Sequence, residues 1–275
     1  MKSISLTLIF SFFIIIFSSA QEDYSTQFEV QYEVSYSMDS LHLDDKKEET
    51  VYLYTGSDYG VFMSSKVAKA DEIEANIERQ MRSGSITITS DMVTDFNKTF
   101  YKDLQAGTVK TVEDIASKDY IYTEPKTPSW QIGDSTKTFS DYTVQKATTR
   151  FAGRDYVAWF TMEIPIPDGP YLFHGLPGLI VALYDTSNDY HFKLKSIQKL
   201  DKPRIWKIPE AKRIDKAKFK KLQAKAAKHK RFNQTEIGGM TITILDENGN
   251  NSSSAKMRRK NKERMARENN PIELK

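Results

Sequence analysis

The chain has 275 residues, 12% of them aromatic, with 40 basic and 37 acidic side chains and no cysteine. Such a length and apolar content exclude a wholly disordered chain, and the missing thiols exclude disulfides, thiolate metal sites and a cysteine nucleophile. The net charge of +3 hides a split, because residues 1–200 carry net −9 and residues 201–275 carry net +12.

Lys2, the apolar run Ile4–Phe17 and the small residues Ser18-Ser19-Ala20 are the three parts of a secretory signal peptide, with cleavage expected after Ala20. The run falls short of the roughly 20 residues that a spanning helix needs. Export removes nucleic acid from the expected partners, whatever the basic C-terminus suggests.

From Phe28 to Met38 apolar and polar residues alternate without a break, which predicts a long strand with one dry face. Strands are also predicted at Val51–Thr55 and Tyr59–Ser64 around the turn Gly56-Ser57-Asp58, followed by a helix over Lys66–Arg82. Shorter strands are read at Ile86–Thr89, Val93–Tyr101, Thr108–Val112, Tyr120–Thr123 and Trp130–Ile132. A hairpin joins Tyr142–Ala152 to Arg154–Glu163 at Gly153. If Phe151 pairs with Tyr156, then Gln145, Ala147, Thr149, Phe151, Tyr156, Ala158, Phe160 and Met162 face the core. The wet face then carries Val144, Lys146, Thr148, Arg150, Val157, Trp159, Thr161 and Glu163, with Lys146 diagonal to Glu163. A second hairpin runs from Leu179–Tyr184 to His191–Ile197, with His191 opposite Tyr184.

Repeated hairpins with polar alternation predict a mainly β fold. The expected form is a curved antiparallel sheet or incomplete barrel with a few helices, over residues 21–200. After Leu200 the composition turns basic. A helix opened by Pro209 and ending at Phe232, a strand at Met240–Leu245, a loop at Asn248–Ser254 and a basic helix at Ala255–Glu268 form the expected extension, residues 201–275.

Catalytic signatures are missing: there is no HExxH, GxSxG, P-loop or GxGxxG. No catalytic residue, cofactor or metal is therefore assigned, and a non-enzymatic protein is expected. The hairpin register separates His174 from His191, which argues against a joint metal site. The adjacent acids Asp44-Asp45, Asp71-Glu72 and Glu113-Asp114 read as solvated surface. Glu163 beside Trp159 is the best single acid candidate, since an aromatic wall raises a carboxyl pKa.

The segment Pro165–Gly178 stands out, with four prolines and three glycines among Tyr171, Leu172, Phe173 and Leu176. Such a loop should take one shape, with a type II turn at Leu176-Pro177-Gly178-Leu179. It reads either as a rigid crossover folded onto the sheet or as a contact loop presenting Tyr171, Phe173, His174 and Pro177. Net +9 over Lys207–Arg231 can attract an anionic lipid surface or an acidic partner, with Lys216, Lys220 and Lys221 as candidate contacts beside Lys146, Trp159 and Glu163.

The run Gly169-Pro170-Tyr171-Leu172-Phe173-His174-Gly175-Leu176-Pro177-Gly178-Leu179-Ile180 contains the string GLPGLI. With Gln145-Lys146-Ala147-Thr148, Gly153-Arg154, Ala158-Trp159-Phe160-Thr161 and the terminal Asn270-Pro271-Ile272-Glu273-Leu274, the chain resembles the GLPGLI family of exported Bacteroidota proteins. Val144 departs from the resemblance, since many members have cysteine before Gln-Lys. The resemblance implies a periplasmic protein associated with TonB-dependent outer-membrane receptors, and it implies no catalytic activity. Asp39-Ser40-Leu41 and Asp134-Ser135-Thr136 also fit the short O-glycosylation pattern of these bacteria. The leading expectation is an accessory or binding protein at the outer membrane. The alternatives are a carrier holding a hydrophobic ligand among Phe28, Tyr32, Tyr36 and Phe160, and an envelope-polymer hydrolase using Glu163.

Overall fold

Strict alternation in β1 (Asp23–Tyr36) buries Val30, Tyr32, Val34 and Tyr36 and turns Glu29, Gln31, Glu33 and Ser35 the other way. The structure, a computed structural model, describes residues 23–43, 46–70, 77–80, 82, 85–88, 94–115, 118–229, 236–237, 240–244 and 270–274. The signal segment 1–20, Asp44-Asp45, Asp71-Glu72, the apolar positions 73 and 81 of the expected first helix, the loop 248–254 and the basic helix 255–268 lie outside these residues. Of that first helix the structure describes α1 (Ser65–Ala68) and helical residues at 77–80 and 82.

Strands β2 (Lys47–Thr55) and β3 (Tyr59–Ser64) follow, then β4 (Ser85–Ile88), β5 (Thr99–Asp103), β6 (Thr108–Ile115), β7 (Lys118–Thr123) and β8 (Gln131–Phe139). The second half contains β9 (Tyr142–Phe151), β10 (Arg154–Thr161), β11 (Leu179–Asp185), β12 (Tyr190–Lys207), β13 (Lys212–Arg213), α2 (Lys216–His229), β14 (Glu236–Ile237) and β15 (Met240–Ile244). Twelve strands form one open sheet in the order β13-β7-β6-β5-β3-β2-β1-β12-β11-β10-β9-β8, and β14-β15-β4 form a small second sheet. The pairings are antiparallel except β13 with β7 and β15 with β4. The mainly β reading therefore holds, with a mixed sheet that does not close.

Both hairpins form. Phe151 pairs with Arg154 rather than Tyr156, because Ala152 and Gly153, at φ 49° and 89°, make a two-residue turn of the primed kind. The shift is two residues, so the paired side chains keep their expected faces. Met162, expected on the core face, lies past the end of β10 and is 61% exposed, while Val144 and Val157 on the opposite face are buried. In the second hairpin Tyr184 opposes His191 as expected.

Four elements differ from the sequence reading. β5 covers Thr99–Asp103 instead of the expected Val93–Tyr101, with residues 94–98 outside any strand. β8 extends well beyond the expected Trp130–Ile132, as far as Phe139. β12 runs straight through residue 200, where composition changes, because its far end pairs with the start of β1 as far as Asp23 opposite Lys207. The basic helix starts at Lys216 instead of Pro209. Lys212–Arg213 is held back by pairing with β7, and the Asp215 carboxylate accepts the N–H groups of Ala217 and Lys218 as the cap.

One core cluster joins Val30, Tyr32, Val51, Leu53, Phe62 and Phe100 to the loop residues Tyr171, Leu172, Phe173 and Leu176. A second cluster packs Tyr54, Val61, Met63 and Tyr101 against α1 and Trp206. The middle strands β3 and β5 are thus covered on both faces, which explains their near-continuous burial.

Candidate functional site

The proline-rich loop is fastened to the sheet by a charge pair. Lys102 on β5 and Asp168 in the loop are both fully buried, with Nζ 2.8 Å from Oδ1. Nζ also donates to the Gly169 carbonyl at 2.6 Å, while Asp168 accepts from Thr55 Oγ1 and from the Gly169 amide, each at 2.8 Å. Burial pushes the Lys102 ammonium below its ordinary range, and the Asp168 carboxylate opposes this. Gly60 makes room for the pair, since a Cβ there would lie 2.0 Å from Asp168 Oδ2.

The GLPGLI string itself is built into the packing. Gly175 adopts φ 89°, Leu176 is buried, and Leu179 and Ile180 enter β11 with no exposure. The expected type II turn does not form. Gly178 lacks the positive φ that such a turn needs, and its amide donates back to the Leu176 carbonyl at 2.8 Å. Glycine is needed at 178 for a close approach instead: a Cβ would meet the Thr161 carbonyl oxygen at 2.0 Å.

The candidate contact residues of the loop are distributed accordingly. Tyr171 and Phe173 point into the core, with rings 4.6 Å from Phe100 and Tyr156 respectively. His174 is buried, and its Nε2 has no hydrogen-bond partner among the described residues. Burial, reinforced by the Lys102 charge, holds its imidazole down at about 4. The His174 carbonyl accepts the Trp130 indole N–H at 2.8 Å. Pro177 is exposed. The rigid-crossover reading therefore describes most of this loop.

The last described residues close a second charged cluster. Glu273 lies 3.5 Å from Lys98 and 2.8 Å from Lys216, and accepts the Tyr171 hydroxyl at 2.6 Å. Burial alone would raise its pKa, but Lys98 and Lys216 hold it at about 2. Lys216 also pairs with Glu124. Its ammonium is thus committed inside the fold and does not form part of a free basic surface. Glu113, read from sequence as solvated, is buried and accepts from Tyr122 at 3.1 Å and Gln223 at 2.7 Å. A third cluster centres on Arg154, 2.8 Å from both Asp185 and Asp189.

The remaining candidates face outward. Lys146 lies opposite Trp159 on the β9–β10 ladder, and Lys137 Nζ sits 4.0 Å above the Trp159 ring. Glu163 accepts the Thr143 amide at 2.7 Å rather than pairing with Lys146. Beside them is a depression of about 140 Å³ lined by Thr136, Gln145, Phe160, Met162 and Glu163. Edge strand β8 is exposed along nearly its whole length, and Ile132 and Met162 are 50% and 61% exposed. Lys220 and Lys221 are exposed on α2. Sequence reasoning missed Lys102, Asp168, Arg154 and Glu273, because a lone charge at a strand end or in a loop reads as surface.

Residues 152–182 match a Bacteroidota-type family model described as a protein of unknown function (Porph_ging). No curated protein matches the chain in sequence. Among solved structures, two crystal forms of PNGF-II align with a TM-score of 0.53 and 12% identity over 73% of this chain. The chain spans about a third of the length of those structures, 34% in one crystal form and 33% in the other. An uncharacterised conserved protein from Thermus thermophilus aligns over 68% of this chain and 90% of its own length, with a TM-score of 0.34 and 6% identity. The likeness to PNGF-II, at 12% identity, concerns the fold alone.

Proposed function

We propose that the chain is a GLPGLI-type exported protein, released into the periplasm by cleavage after Ala20, that acts as a non-enzymatic accessory protein. It holds an outer-membrane partner, of the TonB-dependent receptor kind, on the β8 end of its sheet. The observation that carries this reading is the long β8 edge, whose nine residues have one ladder side without a strand partner among the described residues, beside the exposed Ile132 and Met162. An unpaired strand edge with flanking apolar side chains is a template for an added strand from a partner. The exposed lysines Lys220 and Lys221 give α2 a basic outer side that favours an anionic lipid surface nearby.

The interior supports a binding role for the outside. Tyr32, Tyr36 and Phe160, which a carrier would use to line a cavity, fill the core: the Tyr32 hydroxyl donates to the Ile180 carbonyl at 2.7 Å, and Tyr36 packs edge-on to Phe96 at 5.1 Å. Glu163 spends one carboxylate oxygen on the Thr143 amide, a structural contact that does not equip it for hydrolysis.

The test is site-specific photo-crosslinking of the full chain in its native host, with the crosslinker placed in turn at Ile132, Lys137 and Lys221. One discrete envelope protein should be captured from the first two positions, and capture from Lys137 should be lost in the Ile132→Asp background. Capture that is absent, or indifferent to Ile132→Asp, removes the β8 edge as the contact surface.

A further inference from the structure

The segment Asn270–Leu274 follows α2 by about 40 residues, yet it is held by groups from β1 through to α2. The Asn270 amide donates to the Met38 carbonyl and its Nδ2 to the Ser37 carbonyl, both at 3.0 Å. Its Oδ1 accepts from the Arg154 guanidinium and its carbonyl from the Tyr190 hydroxyl at 2.7 Å. The carbonyls of Pro271 and Ile272 accept from Arg154 at 3.0 Å and from the Tyr156 hydroxyl at 2.9 Å. Ile272 packs against the main core cluster. The Glu273 carboxylate enters the Lys98–Lys216–Tyr171 cluster, and the Leu274 amide donates to the Ala152 carbonyl at 2.8 Å.

These are the contacts of a bound peptide. Five main-chain groups of the segment, the Asn270 and Leu274 amides and the Asn270, Pro271 and Ile272 carbonyls, are hydrogen-bonded to the body of the fold, and two polar side chains are read by separate pockets. The Arg154 pocket is itself held rigid by Asp185 and Asp189. None of these contacts needs the segment to belong to the same chain. The 25 residues between β15 and Asn270 can span on the order of 80 Å when extended, enough to reach a neighbouring molecule.

We propose that this groove is a sequence-reading peptide site for a segment of the form Asn-Pro-Ile-Glu-Leu, and that its occupant in an assembly is the tail of a second copy of the chain. A tail docked in its own groove competes at an effective concentration of about a millimolar. Exchange between copies therefore rises with protein concentration and with any change that weakens the resident tail. This inference stands apart from the β8 surface, which shares none of the groove's residues.

The absence of cysteine makes the test direct. One full chain carries Ala152→Cys, at the carbonyl that receives the tail, together with Asn270→Ala to loosen its own tail. A second full chain carries only Leu274→Cys. Mixed under mild oxidation, the two should form a disulfide-linked dimer whose yield rises with donor concentration. The yield should fall at least tenfold when the donor also carries Asn270→Ala. An acceptor with its tail intact should be labelled at least tenfold more slowly, and a synthetic Asn-Pro-Ile-Glu-Cys peptide should label the loosened acceptor as the donor does. Labelling by neither donor nor peptide overturns the peptide site. Labelling by the peptide without the donor overturns the second copy as occupant.

Discussion

Replacing Lys102 by methionine tests whether the proline-rich loop is held to the sheet by a buried charge. The substitution keeps the stem of the side chain and removes the ammonium, so Asp168 loses its ion pair at 2.8 Å and retains only Thr55 Oγ1 and the Gly169 amide. The Gly169 carbonyl loses its donor as well. Removing one partner of a buried pair costs about 3–5 kcal/mol, because the other charge is left in a low-dielectric site. That is a large part of the roughly 5–15 kcal/mol that stabilises a typical domain. Adding Asp168→Asn to Lys102→Met removes the stranded charge and keeps acceptors for Thr55. The double variant should therefore recover about 1–3 kcal/mol relative to the sum of the single changes. Urea unfolding followed by tryptophan emission suits the question, since the Trp130 indole is bonded to the loop at the His174 carbonyl. A loss below about 1 kcal/mol for Lys102→Met, or full additivity in the cycle, would refute the reasoning.

Other expectations follow from the same geometry. Acid should unfold the protein in two overlapping stages. His174 has a folded pKa of about 4 against an ordinary 6.5, so the folded state resists a proton that the unfolded state accepts. Its contribution of about 3 kcal/mol is present above pH 6.5 and is lost as pH falls towards 4. Glu273, at about 2 against 4.5, adds stability above pH 4.5 that is lost as pH falls towards 2. Stability measured between pH 7 and 4 should flatten in His174→Gln, and an unchanged slope would assign the loss elsewhere. Gly178→Ala places a Cβ 2.0 Å from the Thr161 carbonyl and should cost at least about 2 kcal/mol, whereas exposed Pro177→Ala should cost under about 1 kcal/mol in the same denaturation assay. Reversing Lys216 to glutamate should lower the unfolding midpoint clearly, because its ammonium bridges Glu124 and Glu273. The same reversal at exposed Lys221 should stay within about 0.5 kcal/mol. Equal effects would contradict the distinction between the two lysines.

Much of the fold is legible in the order of residues, because the information is local. Period-two alternation in β1, the glycine at the β9–β10 turn and the spacing of the β11–β12 hairpin specify strands, faces and even the Tyr184–His191 register. A two-residue slip in the first hairpin does no damage for the same reason, since side-chain direction repeats every second residue. The prolines and glycines of the loop likewise announce one fixed shape. Composition misleads where pairing decides: β12 crosses the basic boundary at residue 200 because β1 lies beside it, and the helix waits until Lys216 because β7 claims Lys212–Arg213.

The tertiary structure alone decides which charges are internal. Lys102, Asp168, Arg154, Lys216 and Glu273 look no different in sequence from the solvated Lys220 and Lys221. Each finds its charged partners across between 31 and 175 positions of chain. No local pattern encodes an encounter of that range. Burial and pairing become visible only once the sheet brings β5, the loop, β10 and the C-terminal segment together, so the groove for the tail could not be read from the tail itself.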